Sequence, residues 1–325
     1  MNDVLFREKI AARYPEGLTG IFAIGGTRTT YILEQNRFKP DPGRIDDFAA
    51  QGEFLQRRYQ QFIRMFFDLG GQNMIIGAFS FRGFYNRGEK YAELAAQELF
   101  RLMDDHWAAF YRCHNIDPYF IGIDTLLALP EGSVGQRLGK AYHDFQQQWP
   151  YQEGRRRVIW EIASIPLVSL WEAYERLSDT DRDELRAFTR QTTDLEAIQR
   201  EYYRRFSRLI YGAEVPMPHF YLGTNKSGDL KLRAPMPLAL LGGEFVRLYY
   251  TPYPTLFLKP ETLREILNDL AFNKRFFSAK VDYSGSYSSE LAQAEYQRVE
   301  QLAADPSTVI GFTRDVQAGE LAEDS

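Results

Sequence analysis

Short apolar runs alternate with longer segments of helical periodicity along most of the chain. Four of the runs are rich in aliphatic and aromatic residues, and glycine, serine or proline punctuates them; they lie at 18–25, 74–80, 119–123 and 157–165. Runs of this length and composition predict buried strands. Further strand candidates lie at 220–223, 230–232 and 246–251.

The segments between these runs predict helices. Apolar residues within 45–69 recur at three- and four-residue spacing, and Gly70 and Gly71 end that segment. Similar patterns predict helices over 89–115, 134–148, 166–177, 181–211, 260–276 and 289–304. Because strands and helices alternate, we expect an α/β fold with a central, mostly parallel sheet flanked by helices. We expect one domain over 1–325, with a short N-terminal extension at 1–17 and a loose C-terminal tail from about residue 313.

Composition narrows the function classes. The 325 residues are 44% hydrophobic and 26% charged, as in ordinary folded proteins, and a net charge of −5 argues against a general nucleic-acid binder. No apolar stretch approaches the roughly 20 residues of a membrane span, so we expect no integral membrane segment. The single cysteine, Cys113, excludes an internal disulfide, and residues 1–10 lack the apolar core of a signal peptide. We therefore expect a cytoplasmic protein.

The glycine turn after the first apolar run is the first candidate for chemistry. Gly25 and Gly26 allow a tight turn that exposes backbone N–H groups, and Arg28 adds a fork of donors shaped for phosphate or carboxylate. In parallel sheets, ligands lie beyond the carboxyl ends of the strands, so Gly25, Ser80 and Asp124 are expected to face one crevice.

Further cationic and aromatic residues make a diphosphate with a hydrocarbon tail a candidate ligand of this site. Arginines that follow the strands are candidate diphosphate donors: Arg28, Arg44, Arg82 and Arg87, with Arg233 and Arg247 from the late strand region. Rings near those donors would line an apolar interior: Phe66, Phe67, Phe79, Phe81, Phe84 and Tyr85. A polar mouth with an aromatic interior suits a prenyl diphosphate. The alternative is a set of independent surface arginines and ordinary core rings.

Several segments together resemble the cis-prenyltransferase superfamily. Each matches a motif of that family in order and spacing: Ile24-Gly25-Gly26-Thr27-Arg28 at the diphosphate turn, Gly77-Ala78-Phe79-Ser80 with Tyr85-Asn86-Arg87, Phe120-Ile121-Gly122-Ile123-Asp124 through Leu129-Pro130, Asp229-Leu230-Lys231-Leu232-Arg233, and Leu248-Tyr249-Tyr250-Thr251. Within the superfamily, the chain is most similar to the diterpene synthases that make tuberculosinol and kolavelool. The segments that point there are Leu33-Glu34, Gly88-Glu89-Lys90-Tyr91, residues 261–267, Arg275-Phe276 and Asp282-Tyr283-Ser284.

The resemblance implies a cis-prenyltransferase-like fold, a homodimer and a small-molecule prenyl diphosphate substrate. It implies ionisation of a bicyclic C20 diphosphate such as kolavenyl diphosphate, followed by addition of water to give a diterpene alcohol. The substrate-binding residues would be Gly26, Thr27, Arg28, Arg44, Phe79, Ser80, Arg87, Arg233 and Arg247, of which Gly26, Thr27, Arg28, Ser80 and Arg87 would bind the leaving diphosphate. Arg28 would also be catalytic, Tyr283 would close the pocket, and Mg²⁺ is expected as cofactor with no assigned ligand.

The chain departs from the family at its metal and acceptor positions. Gly25 stands where the family has an aspartate, and Arg247 stands where the elongating enzymes have a glutamate. The elongating enzymes have an Arg-x-x-x-Ser motif that holds the diphosphate of the isoprenyl acceptor, and this motif is absent after Arg233. Two alternatives therefore stay open: a chain-elongating cis-prenyltransferase, which these departures disfavour, and a non-catalytic prenyl-diphosphate-binding subunit, which Gly25 favours.

Overall fold

The computed structural model describes residues 3–37, 39, 41, 43, 45, 47–81, 83, 89–224, 246–273 and 289–304. The strands in this part of the chain are β1 (Leu18–Ala23), β2 (Gly71–Phe79), β3 (Ile116–Ile121), β4 (Arg156–Ile162), β5 (Phe220–Thr224) and β6 (Arg247–Thr251). They form one sheet in the order β3-β4-β2-β1-β5-β6, and every neighbouring pair is parallel. All carboxyl ends therefore meet at one edge of the sheet, called here the carboxyl edge, and the opposite edge is the amino edge.

Helices occupy most of the remaining described residues. The α-helices are α1 (Asp3–Arg13), α2 (Thr27–Tyr31), α3 (Phe48–Asp68), α4 (Glu89–Phe100), α5 (Asp105–Cys113), α6 (Ile123–Leu127), α7 (Val134–Gln148), α8 (Pro166–Arg176), α9 (Asp179–Gln191), α10 (Leu195–Tyr211), α11 (Pro260–Phe272) and α12 (Ser289–Ala304). Ile32–Asn36 continues α2 as a π-helical turn, and Arg101–Met103 and Thr255–Phe257 are short 3₁₀ helices. The predicted α/β fold with a parallel sheet is confirmed.

Apolar cores cover both faces of the sheet. The larger core packs α1, α3, α4, α5, α7 and α11 on one face, and the smaller core packs α8 and α10 on the other. Side chains alternate along β1 as the pleat requires, with Phe22 in the larger core and Ile21 and Ala23 in the smaller one. The sheet is therefore buried on both sides, which explains why its strands read as continuous apolar runs.

Two predicted helices are divided in the structure because an aspartate starts a new helix inside each. The Asp104 carboxylate accepts a hydrogen bond from the Trp107 N–H at 2.9 Å, and α5 begins there. The Asp194 carboxylate does the same for the Ala197 N–H at 3.1 Å, and it separates α10 from α9. Each carboxylate satisfies an N–H that a continuous helix would bond internally. The predicted strand at 230–232 lies outside the described residues.

Helix α2 follows the glycine turn directly and was not predicted. Thr27, Thr29 and Thr30 are β-branched and weak helix formers. Gly26 supplies the left-handed N-cap, with φ 74° and ψ 26°, and Tyr31 is buried against Phe54 with ring centroids 5.5 Å apart. Tertiary packing therefore overrides local preference here. Among the described residues, no helix is both long and apolar enough to cross a membrane.

His219 ties β5 to β1 at the amino edge. The backbone N–H of Thr19 donates to Nδ1 of the His219 ring at 3.1 Å, and the backbone N–H of His219 donates to the Thr19 carbonyl at 2.9 Å. The ring also meets Tyr14 edge-on, with centroids 4.5 Å apart. Burial of the ring lowers the pKa of His219 to about 4. The imidazole is thus held neutral near pH 7.

This lowered pKa makes stability depend on pH. The unfolded chain binds a proton at His219 below about pH 6.5, and the folded chain does so only near pH 4, so folding stability falls as the pH drops through that window. We expect His219 to account for a loss of about 2 kcal/mol in the free energy of unfolding between pH 7 and pH 5. Urea unfolding of the wild type and of His219→Asn at both pH values measures this. An equal loss in both proteins would contradict the assignment.

Candidate functional site

The glycine turn ends in a helix N-terminus that no side chain caps. Gly26 is the N-cap of α2, and its carbonyl accepts from the Thr30 N–H at 2.8 Å and from the Thr30 hydroxyl at 3.0 Å. The N-terminal turn of α2 therefore presents backbone donors and the positive end of its dipole at the carboxyl edge. Such a terminus attracts an anionic group. Thr27 is half-buried and Arg28 exposed at the same turn.

Gly25 is enclosed rather than open to a ligand. Its N–H donates to the Thr255 hydroxyl at 3.3 Å, and its carbonyl accepts from the Thr255 N–H at 3.2 Å. A Cβ at Gly25 would lie 3.1 Å from the Cβ of Thr224. We expected both glycines to expose N–H groups, but the hydrogen bond to Thr255 uses the N–H of Gly25. The anion-binding part of the turn therefore begins at Gly26.

The turn lies where the chain reverses its direction of travel across the sheet. From β1 the chain moves to β2 on one side, and β5 later pairs with β1 on the other side. In open parallel sheets, this switch point forms a crevice at the carboxyl ends of the strands. Gly25 and Thr224 stand on its two sides.

Two predicted residues at the end of β2 lie beside the turn. Ser80 is exposed and directly follows β2, the strand that pairs with β1, so it shares the carboxyl edge with Gly26. Phe79 is half-buried and stacks on Tyr91 of α4, with ring centroids 6.2 Å apart. The structure thus brings a hydroxyl and aromatic surface to the same edge as the α2 N-terminus.

Arg28 reaches across to the loop that follows α2. One guanidinium nitrogen, Nη2, donates to the Gly43 carbonyl at 2.8 Å. This bond holds the exposed side chain at the mouth of the turn. It leaves the other guanidinium N–H groups pointing away from that carbonyl, because the fork is planar and its donors diverge.

Arg247 does not join this cluster, which corrects its expected place in the diphosphate site. It begins β6, in register with Phe220 at the start of β5, and so lies at the amino edge. Its guanidinium lies 3.8 Å from the Asp269 carboxylate, to which the Tyr249 hydroxyl also donates at 2.5 Å. A strand of five residues separates Arg247 from the carboxyl edge by about 13 Å. The strand predicted at 246–251 has Arg247 at its second position, so the residue precedes the strand's carboxyl end instead of following it. Arg44, Arg82, Arg87, Arg233 and Tyr283 lie outside the described residues.

Of the aromatic rings predicted to line the pocket, some lie in the apolar core and others lie at the carboxyl edge. Phe66 and Phe67 are fully buried, and Phe66 packs against Phe22 and Phe220 in the larger core. Phe79 and Phe81 are half-buried at the carboxyl edge. Phe84 and Tyr85 lie outside the described residues.

Sequence reasoning missed a second group of rings beneath that edge. Tyr59 of α3 meets Trp160 of β4 with centroids 5.9 Å apart, and Trp160 meets Trp107 edge-on at 5.6 Å. Burial raises the pKa of Tyr59, so its hydroxyl stays protonated. The helical spacing of Tyr59 was visible in the sequence, but nothing there paired it with a strand.

Glu161 is a buried carboxyl that the sequence analysis also missed. It is 3% exposed within β4, and neither carboxyl oxygen makes a hydrogen bond in the described part of the chain. Burial raises the pKa of Glu161 far above its usual range, so the group is a neutral acid. The signal in the sequence was one charged residue inside the apolar run 158–163.

The described acidic residues do not fit a magnesium site. Within the described ranges, no three His, Cys, Asp or Glu side chains cluster as metal ligands. At the turn itself, Gly25 offers no carboxylate, and the groups around it are the hydroxyls of Thr224 and Thr255. Asp124, exposed at the end of β3, lies by Glu172 of α8; burial and this neighbouring carboxylate raise the pKa of Glu172.

Comparison with known proteins shows the fold. No family model matches the sequence, and no curated protein matches it. The chain is similar to the crystal structure of lavandulyl diphosphate synthase from Lavandula x intermedia in complex with dimethylallyl diphosphate, at 15% identity and a TM-score of 0.50, over 81% of this chain and 98% of that one. It is also similar to a probable undecaprenyl diphosphate synthase from Campylobacter jejuni, at 12% identity and a TM-score of 0.49, over 81% and 98%.

At these identities the likeness concerns the fold alone. It confirms the predicted architecture, a parallel sheet flanked by helices as in the cis-prenyltransferase structures. It provides no test of the expected similarity to the diterpene synthases that make tuberculosinol and kolavelool.

The donor set predicts how the protein responds to magnesium. Because the described turn offers N–H groups and a guanidinium rather than carboxylates, we expect millimolar MgCl₂ alone to leave Tm unchanged. Inorganic pyrophosphate in EDTA is expected to raise Tm, since it binds only the folded state. Differential scanning fluorimetry measures both. A rise in Tm with MgCl₂ alone would show that carboxylates gather elsewhere in the chain.

Proposed function

We propose that the chain is an enzyme that acts on a prenyl diphosphate. The observation that carries this proposal is the uncapped N-terminus of α2 at the switch point of the sheet, with Ser80 and Arg28 beside it. The similar lavandulyl diphosphate synthase was solved with dimethylallyl diphosphate, which supports the same ligand class here. The apolar rings behind the edge suit the hydrocarbon part of such a ligand.

The finer proposal is a diterpene synthase that ionises a bicyclic C20 diphosphate such as kolavenyl diphosphate. The allylic C–O bond breaks, and its electron pair leaves with the diphosphate. Gly26 and Thr27 receive the diphosphate through backbone N–H groups, and Arg28, Ser80 and Arg87 bind its oxygens. Stabilising the charge that develops on this leaving group is the main catalytic contribution.

Water completes the reaction. It adds to the allylic cation, a proton is lost, and the products are a tertiary alcohol, such as a kolavelool-like diterpenol, and diphosphate. Aromatic faces near the edge, such as Phe79, stabilise the cation through their negative quadrupole. Tyr283 is proposed to close the pocket. The Mg²⁺ implied by the resemblance has no ligand cluster among the described residues, so no step is assigned to it.

Substrate incubation separates this reading from its rivals. The purified protein is incubated with kolavenyl diphosphate, with geranylgeranyl diphosphate, and with farnesyl plus isopentenyl diphosphate, each with and without Mg²⁺, and products are identified by mass spectrometry. A C20 alcohol from the bicyclic substrate supports the proposal. Longer polyprenyl products would establish chain elongation instead. Binding without any product would favour a non-catalytic subunit, the alternative that Gly25 and the absence of a carboxylate cluster among the described residues support.

Arg28 is the residue whose loss tests the diphosphate site directly. We expect Arg28→Ala to lower kcat about 10²–10³-fold with Tm unchanged, because an exposed side chain that stabilises the leaving group contributes little to folding. Steady-state kinetics and thermal melting measure the two effects. Arg186→Ala, at an exposed arginine on α9, serves as the control and is expected to retain full activity. Turnover near the wild-type value in Arg28→Ala would rule out this turn as the catalytic site.

We further propose that the chain is one cytoplasmic domain that forms a homodimer, as the resemblance implies. Helix α8 supports a partner surface, because Leu167, Trp171 and Tyr174 recur on one face and are 77%, 62% and 40% exposed. Contiguous apolar groups of this kind are uncommon on monomers.

A charge on that face tests the dimer. We expect Trp171→Glu to shift the sedimentation coefficient to that of a monomer, because a buried unpaired carboxylate opposes association. Leu195→Glu, at a residue of α10 that is 78% exposed, is expected to remain dimeric. A wild-type monomer, or a dimeric Trp171→Glu variant, would place the interface elsewhere or remove it.

A further inference from the structure

Two buried hydroxyls join the strand ends on either side of the switch-point crevice. Thr224 ends β5 and is 6% exposed, and Thr255 begins the 3₁₀ helix after β6 and is fully buried. Their Oγ1 atoms lie 2.5 Å apart, so one hydroxyl donates to the other. This pair is called here the threonine clamp.

The clamp holds both backbone groups of Gly25. The Gly25 N–H donates to Oγ1 of Thr255 at 3.3 Å, and the Gly25 carbonyl accepts from the Thr255 N–H at 3.2 Å. The Thr224 hydroxyl lies 3.5 Å from the same carbonyl. A segment at the end of β1 is thereby fixed to β5 and to the segment after β6 at once.

We propose that Thr224 and Thr255 are positioning residues that set the glycine turn in its diphosphate-binding conformation. This inference rests on the proposed diphosphate function of the turn. In the absence of a side chain at Gly25, the backbone there is free to rotate in solution, because glycine has wide conformational freedom. The clamp removes that freedom, and Gly26 then begins α2 in the left-handed conformation at the carboxyl edge.

Thr224 also packs closely against Gly25. A Cβ at Gly25 would lie 3.1 Å from the Cβ of Thr224, which is closer than ordinary packing. A side chain at this position would therefore require Thr224 to move by a few tenths of an ångström. Gly25 and the clamp form one packed unit, in which hydroxyls hold the turn from outside.

The clamp also links the turn to the helices that flank the crevice. The 3₁₀ helix Thr255–Phe257 contacts both α2 and α3, and its Leu256 is 4% exposed in the larger core. Thr255 therefore acts from a rigid, buried base. A hydroxyl placed in this way positions Gly25 without meeting the ligand itself.

Pyrophosphate binding tests the clamp. We expect Thr255→Val to raise the Kd of the full-length protein for inorganic pyrophosphate about tenfold, because the isosteric change removes the hydroxyl that accepts from the Gly25 N–H and bonds to the Thr224 hydroxyl. Thr255→Ser keeps the hydroxyl and is expected to bind within about twofold of the wild type. Isothermal titration calorimetry gives Kd, and thermal melting gives Tm for each variant.

Thr19→Val separates positioning from a merely structural role. Thr19 is fully buried at the other end of β1, where its hydroxyl accepts from the Asn73 amide at 3.2 Å. The Thr19→Val variant is expected to lower Tm, as Thr255→Val does, without changing the Kd for pyrophosphate. Equal Kd values for the wild type and Thr255→Val would overturn the clamp and leave the proposed function standing. A wild type that binds neither pyrophosphate nor a prenyl diphosphate would overturn both.

Discussion

A left-handed backbone at Gly26 is the constraint on which the candidate site depends. With φ at 74°, this residue turns the chain at the carboxyl edge and lets α2 begin at the next residue. A side chain at this conformation costs about 1–2 kcal/mol, whereas glycine adopts it freely. The burial of Tyr31 against α3 anchors the new helix from behind. The positive end of a helix is thereby fixed at the point where the sheet opens.

The sequence predicted the sheet well because its strands are buried on both faces. A strand covered by helices on each side needs apolar residues at every position, and such runs stand out when glycines close them. Helix boundaries were less predictable, because Asp104 and Asp194 each start a helix inside a segment of continuous helical character. Short α2 escaped prediction since its stability comes from Gly26 and from contacts distant in sequence.

The site was predictable only where a residue follows the end of a strand. Gly26 and Ser80 lie at the expected edge because they follow the carboxyl ends of β1 and β2, two parallel strands. Arg247 lies at the opposite edge, because it begins β6 and does not follow the end of that strand. The partners of Gly25 were invisible, because Thr224 and Thr255 are about 200 and 230 residues away along the chain. Glu161 shows a third limit: a charge in an apolar run signals an unusual site but not its role.

A turn without a carboxylate changes how the charge of a leaving diphosphate is balanced. A carboxylate beside a diphosphate repels it unless a cation lies between them, so an aspartate at this position makes sense only together with a metal. Backbone N–H groups and a guanidinium meet the diphosphate oxygens directly, and their attraction grows as the C–O bond breaks. In the proposed ionisation only one diphosphate is present, so these donors have a single leaving group to balance. The same donors would also hold a diphosphate that never reacts. A synthase also needs support for the cation that forms, and the half-buried ring of Phe79 at the carboxyl edge is the aromatic face that we propose supplies it.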